Sequence, residues 1–145
     1  MVECIILGDS IAVGLYQQKK DCYSYSHGGY NSYQWNKRYG GGLHYFKNEV
    51  ENVIISLGSN DHKHVKTEEE LTYLRSTIIA TKQVYWILPA GNLNSPVNPP
   101  ISEIQRIVKK IAEANGDVVI PIQGLQKDGI HPSSSGYKQI AKAIK

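Results

Sequence analysis

Apolar residues along the chain fall into short runs separated by longer polar stretches. Five runs predict strands: Val2–Leu7, Cys22–Ser26, Val53–Leu57, Val84–Leu88 and Val118–Pro121. Val53-Ile54-Ile55 and Val84-Tyr85-Trp86-Ile87-Leu88 are nearly continuous, as strands covered on both faces should be. Helical signals lie between them. Ile11-Ala12-Val13-Gly14-Leu15-Tyr16 reads as a helix start. Thr67-Glu68-Glu69-Glu70 reads as a capping box opening a helix through about Thr81. Ile101, Ile104, Val108 and Ile111 recur at helical spacing, and Asn115-Gly116 closes that helix. Ser133-Ser134-Ser135 caps a last helix ending with Ala141, Ala143 and Ile144. Strands alternating with helices predict an α/β fold: a three-layer α/β/α sandwich around a five-stranded parallel sheet.

The 145 residues make a single domain over 1–145, with no internal repeat and no boundary. A domain of this size buries about two-thirds of its unfolded surface, enough for a real core. With 41% hydrophobic and 20% charged residues, the composition is globular rather than disordered. The net charge of +3 is mild, and no long Lys/Arg run argues for nucleic acid as a partner. Lys19-Lys20 and Lys109-Lys110 read as solvated faces. No apolar stretch reaches the roughly 18 residues of a transmembrane helix. The start of the chain lacks the basic lead and apolar core of a signal peptide, so the expected location is cytoplasmic. Release by lysis or carriage on a larger particle is equally compatible. Two cysteines do not make a disulfide framework. Cys4 falls in the first strand and Cys22 opens the second, so a bridge requires those strands to be neighbours; the expectation is two free thiols.

Three polar clusters carry candidate chemistry. Gly8-Asp9-Ser10 follows the first apolar run, and Gly58-Ser59-Asn60-Asp61 follows the third. Asp128-Gly129-Ile130-His131-Pro132 lies near the end of the chain. A serine hydroxyl is a poor nucleophile until an imidazole takes its proton. That imidazole needs a carboxylate on its other nitrogen to fix the tautomer and steady the cation. Asp128 and His131 are close enough for one tight turn to join them. Ser10 precedes a helix start, where backbone N–H groups face an approaching anion. Asn60 offers a side-chain amide as an oxyanion donor. Each cluster alone is also ordinary turn chemistry. Their occurrence together, two of them directly after strands, favours catalysis. The Gly-x-Ser-x-Gly elbow of another hydrolase class does not fit, because Ala12 stands two residues after Ser10.

In their order along almost the whole chain, these clusters resemble the blocks of the SGNH hydrolases, the GDSL esterase/lipase superfamily. Gly29-Tyr30-Asn31-Ser32 resembles the family's glycine block, with Gly29 preferred over Gly28. The resemblance implies a flavodoxin-like fold and a Ser10–His131–Asp128 triad. It implies an oxyanion hole from the amides of Ser10 and Gly29 and the side chain of Asn60, with no cofactor. The implied activity is carboxylic ester hydrolysis through an acyl-enzyme. The short chain and polar edge favour a small acyl group, such as an acetyl on a carbohydrate. The alternatives are a lysophospholipase or thioesterase for longer acyl chains, and a non-catalytic carbohydrate-binding module.

The loops expected beside Ser10 carry specificity. His62 and His64 supply only two ligands, so a metal site is not expected. The polar Pro89–Pro100 segment holds three asparagines able to bond a hydroxyl-rich ligand. Tyr30, Tyr33, Trp35, Tyr39 and Tyr45 crowd the region after the glycine block, and those left exposed suit stacking on a sugar ring.

Overall fold

The computed structural model describes residues 4–40, 50–78, 83–93 and 98–144. Strands β1 (Cys4–Gly8), β2 (Tyr23–Ser26), β3 (Asn52–Ser56), β4 (Gln83–Leu88) and β5 (Val118–Pro121) form one sheet in the order β2-β1-β3-β4-β5. Every neighbouring pair is parallel. Helices α1 (Ser10–Tyr16), α2 (Ser32–Tyr39), α3 (Thr67–Ser76), α4 (Ile101–Asn115) and α5 (Ser134–Ala143) alternate with the strands.

Successive strand side chains point to opposite faces, and that alternation divides the core in two. Ile5 and Leu7, Val53 and Ile55, and Val84 and Trp86 pack beneath Leu71 and Leu74 of α3 and Val108 of α4. Cys4, Ile6, Ile54, Tyr85 and Ile87 face the other way, against Ile11 and Leu15 of α1 and Ile140 of α5. This is the three-layer sandwich that the strand patterns imply. Gly116 ends α4 with φ at +70°, and the Ser133 hydroxyl accepts from the amide of Gly136 to cap α5. Among the described residues, no helix is long and apolar enough to cross a membrane.

Three expectations need correction. Thr67 is not the cap of a capping box. It is the first residue of α3, behind Lys66, which makes no side-chain cap bond. The Thr67 hydroxyl donates instead to Asp61 at 2.8 Å, a buried acceptor that no local pattern reveals. Second, α3 ends at Ser76 rather than about Thr81. The Thr77 hydroxyl and amide both donate to the Leu74 carbonyl, a local bond that competes with continuing the helix. Residues 79–82, with the predicted end, lie outside the described residues, as does Val2 of the first predicted strand. Third, Cys4 and Cys22 form a disulfide rather than free thiols. The crossover through α1 returns β2 beside β1 in a register that pairs Ile5 with Tyr23. Cys4 and Cys22 are therefore side by side at the amino edge of the sheet, with Cα atoms 4.8 Å apart.

Beyond β1 the chain turns to β2 on one side and later to β3 on the other. Such a reversal leaves a crevice outside the carboxyl ends of the two strands, where open α/β sheets bind ligands. Ser10 follows β1 and Asn60 follows β3 across that reversal.

Candidate active site

The turn after β1 is built by close backbone approach. Gly8 has φ at +151°, and a Cβ there would fall 2.0 Å from the Ser56 carbonyl oxygen. Only glycine fits. The Asp9 amide then donates to Ser56 O at 3.0 Å. Asp9 caps α1: its Oδ1 accepts from the amide of Ile11 at 3.0 Å and from the Ser56 hydroxyl at 3.2 Å. Its Oδ2 is buried with no partner among the described residues. Burial pushes this carboxyl up to about 7, against the pull of those hydrogen bonds. The first helical hydrogen bond runs from Val13 N to Asp9 O, so the Ser10 amide has no partner within the helix.

The other half of the site comes from the segment between β5 and α5. A bridge between Leu125 and Pro132 and a bond from Gln126 N to His131 O close this segment into a narrow loop. Gly129, with φ at +70°, makes the turn at its tip. Asp128 Oδ1 accepts from the amides of Ile130 at 2.9 Å and His131 at 3.0 Å. Oδ2 lies 2.7 Å from His131 Nδ1, and His131 Nε2 lies 2.7 Å from Ser10 Oγ. The amide of Ile130, then that of His131, then the imidazole hold the Asp128 carboxyl down at about 2. Asp128 is therefore an acceptor at neutral pH. Its partner Nδ1 must carry the imidazole proton, which leaves Nε2 to accept from the Ser10 hydroxyl.

The glycine block closes the third side. His27 N donates to Gly8 O at 2.9 Å, which ties the end of β2 to the turn before Ser10. Gly29 has φ at +81°, and a Cβ on Gly28 would stand 3.9 Å from Ser10 Cβ. Both glycines thus belong to one turn beside the serine. Asn31 and Gln34 then form a reciprocal capping box at the start of α2. Asn60 Nδ2 donates to the Tyr30 carbonyl at 3.0 Å, and one of its two hydrogens remains for another acceptor.

The sequence pattern assigns Asp61 no role. The structure gives it three bonds, from the amide of Ser32 at 2.9 Å, the Ser32 hydroxyl at 2.6 Å and the Thr67 hydroxyl at 2.8 Å. Asp61 is buried, and burial raises its pKa. One carboxylate thereby ties the Asn60 loop to the starts of α2 and α3. Its place directly after Asn60 was the only sequence signal. Gly91 likewise carries no sequence signal of its own. A Cβ there would fall 2.2 Å from Gly129 O, so the loop after β4 packs onto the Asp128 turn.

The remaining loop residues divide. Trp35 is buried and donates to Tyr25 O, whereas Tyr33 is 50% exposed. Tyr30 is half-buried and stacks on His27 at 4.1 Å. Tyr45 and Asn94 lie outside the described residues. Asn92 and Asn98 donate to Pro99 O and Leu93 O. These amides close their own loop rather than standing ready for a ligand. His62 and His64 touch edge to face. Among the described residues one group of three candidate metal ligands occurs, Cys4, Asp21 and Cys22, and both of its sulfurs are in the disulfide.

No protein-family model matches the chain, and no curated protein matches its sequence. Solved structures do. A GDSL-like lipase from Bacteroides thetaiotaomicron superposes with a TM-score of 0.73 at 19% identity, over 97% of this chain and 84% of that one. A lipase/acylhydrolase from Enterococcus faecalis gives a TM-score of 0.71 at 21% identity, over 100% and 98%. The C-terminal catalytic domain of peptidoglycan O-acetyltransferase A from Streptococcus pneumoniae gives 0.69 at 12% identity, over 97% and 91%. Taken with the sheet order and the turns around Ser10, these likenesses show that the chain has the flavodoxin-like α/β fold of the SGNH hydrolases.

Proposed function

We propose that the chain is a member of the SGNH hydrolases and a serine esterase that works through an acyl-enzyme. The observation that carries this reading is the unbroken relay from Ser10 Oγ to His131 Nε2 and from His131 Nδ1 to Asp128, both steps 2.7 Å. Ser10 Oγ attacks the ester carbonyl carbon while His131 takes its proton. The amides of Ser10 and Gly29 and the Asn60 side chain hold the oxyanion. The tetrahedral adduct collapses, the alkoxide leaves with the proton from His131, and Ser10 keeps the acyl group. Water then repeats the sequence, with His131 as base, and releases the acid. No cofactor enters these steps.

The acyl group in this reading is small, an acetyl on a carbohydrate alcohol. The site's openness supports that choice: the His131 and Asp128 side chains are 33% and 41% exposed. A long acyl chain needs apolar cover, each buried methylene contributing about 0.8 kcal/mol. Disulfides persist in oxidising settings, so the Cys4–Cys22 bridge favours work after release from the cell over a reducing cytoplasm.

The experiment is Ser10→Ala beside the wild type on nitrophenyl acetate. Loss of the nucleophile should cost about a millionfold in kcat with the fold kept, and a fluorophosphonate should label Ser10 of the wild type alone. Residual turnover above a few per cent of wild type (a loss of well under about a hundredfold) would reject the assignment. A series of ester chain lengths tests the acyl group: an optimum at octanoyl or beyond would favour the lysophospholipase or thioesterase reading.

A further inference from the structure

Positive charge gathers beside the oxyanion loop, and the triad chemistry leaves it unused. His62-Lys63-His64-Val65-Lys66 holds two lysines, two histidines and no acid. Residues 27–39, which include the glycine block and α2, add Lys37 and Arg38, again with no acid. A cleft of about 490 Å³ runs between them, lined by Tyr33 and Gln34 on one side and by His62, His64 and Lys66 on the other. A second cleft of about 290 Å³ shares Tyr33 and Gln34 and is continued by Tyr30, Lys37 and Arg38. Among the described residues, the one acid on these walls is Glu70, whose Oε1 accepts a hydrogen bond from Asn36.

The strip is linked to the oxyanion loop along the chain. Asn31, at the edge of the larger cleft, follows Tyr30, whose carbonyl accepts from Asn60. Arg38 Nη1 reaches the Tyr30 hydroxyl at 3.4 Å. The amide of His64 donates to His62 Nδ1 at 3.2 Å, so a neutral His62 carries its proton on Nε2 and remains a donor. Lys37 Nζ sits 5.9 Å from the centre of the half-exposed Tyr33 ring, which puts a cation beside a flat apolar face. Lys66, Lys37 and Arg38 outnumber Glu70 on the walls of the two clefts, and a surface with an excess of one sign of charge concentrates ligands of the other.

We infer that these two clefts bind the alcohol half of the ester, and that this half is an acidic sugar bearing a carboxylate or phosphate. The ring of such a sugar lies on Tyr33, its hydroxyls meet donors such as His62, and its anion lies among Lys37, Arg38 and Lys66. Assigning the alcohol half to this strip rests on Ser10 being the nucleophile; the preference for an anion does not.

The test uses a matched pair, the mono-O-acetyl esters of a methyl glucoside and of the corresponding methyl glucuronide, which differ by one carboxylate. Wild-type protein should favour the glucuronide about tenfold in kcat/KM at low salt. The preference should shrink towards parity at about 0.5 M salt, where exposed charges are screened. The double variant Lys37→Gln, Lys66→Gln should bring the ratio near parity at low salt; a general loss of activity cancels in a ratio. Equal or reversed preference in wild type that cleaves both esters overturns the proposal and leaves the esterase reading standing. If neither ester is cleaved, nitrophenyl acetate decides the esterase reading, and the anion preference is decided by calorimetry of Ser10→Ala with unacetylated glucuronide and glucoside oligomers. Salt-sensitive binding of the glucuronide alone supports the proposal; equal binding, or none, overturns it. A sugar phosphate bound more tightly than the glucuronide assigns the phosphate form of the same chemistry. Single-stranded DNA of matched charge bound more tightly than either sugar overturns the acidic-sugar assignment.

Discussion

Two pairs of a carboxylate and a nitrogen base sit at opposite edges of the sheet with almost the same separation. At the amino edge, Arg75 Nε lies 2.8 Å from Asp117, and both side chains are nearly sealed, at 6% and 3% exposure. At the carboxyl edge, His131 Nδ1 lies 2.7 Å from Asp128, at 33% and 41%. The buried pair is fully dressed. Two guanidinium nitrogens bond the two Asp117 oxygens, a third bonds Ile78 O, and the Trp86 indole adds a donor to Asp117. The open pair has only the Ser10 hydroxyl on His131 and the local amides of Ile130 and His131 on the other Asp128 oxygen, with water free to reach both side chains. Equal distance therefore means different things. A desolvated pair is a structural commitment, because either charge left alone is costly. A solvated pair adds little to stability and is free to orient a proton. The disulfide reinforces the division, since it too lies at the amino edge.

The sharpest way to break the comparison is to remove one charge from each pair. Asp128→Asn should lower kcat by about ten-thousandfold, because an amide no longer holds the imidazole in the tautomer that accepts from Ser10. Its melting temperature should stay close to wild type. A large drop in stability with kcat preserved would turn Asp128 into a brace and sink the division of labour. Arg75→Ala is the mirror experiment. It leaves Asp117 buried and half-satisfied, and unfolding in urea should show a loss of about 3–5 kcal/mol. Esterase activity per folded molecule should be unchanged, and a fall in kcat beyond a few-fold would tie the two edges together.

The two edges also differ in how well the sequence announces them. The carboxyl edge is legible because its chemistry is local. Asp128 and His131 are three residues apart, Ser10 and Asn60 each follow a strand, and β-strand order places them on one side. The continuous apolar runs of β3 and β4 identify a sheet covered on both faces. What stayed hidden depends on contacts between distant segments. Cys4 and Cys22 meet only once β2 is known to lie beside β1. Arg75 and Asp117 are 42 residues apart, with no pattern linking them. The Thr67 hydroxyl has a local use as a cap and a tertiary use on Asp61, and the buried carboxylate wins. Asn31 and Gln34 form the capping box instead, in a tyrosine-rich stretch with no regular apolar period to mark a helix.

The disulfide sharpens the comparison from the covalent side. It closes a loop of 18 residues, for which the chain-entropy account gives about 3 kcal/mol of stabilisation. Reduction, or the paired change Cys4→Ser with Cys22→Ser, should lower stability by about that amount in guanidinium unfolding. Turnover measured well below the new melting temperature should be retained. Loss of turnover in a folded, reduced protein would show that the amino edge controls the site.

Asp9 is the exception to the division, a buried acid placed directly beside the catalytic edge. Burial raises its carboxyl from 3.8 to about 7, and one of its oxygens has no partner among the described residues. Between those two values the folded protein holds a proton that the unfolded chain has lost. The folded state thus binds more protons than the unfolded one, and stability must fall as pH rises through this window. The slope from this one group is about 1.4 kcal/mol per pH unit and vanishes above about pH 7, where both states are ionised. Asp61, also raised by burial, tilts stability the same way, whereas the lowered Asp128 tilts it oppositely below its ordinary range. Only a difference between proteins isolates Asp9. Asp9→Asn keeps an oxygen for the amide of Ile11 and removes the titration. Relative to wild type, the variant should gain about 1.4 kcal/mol in urea unfolding between roughly pH 5 and pH 6, and nothing further between about pH 8 and pH 9. Parallel curves for the two proteins over the acid window would mean that the Asp9 carboxyl is solvated or bonded well enough to stay ionised. The turn beneath Ser10 would then belong with the fully dressed amino edge.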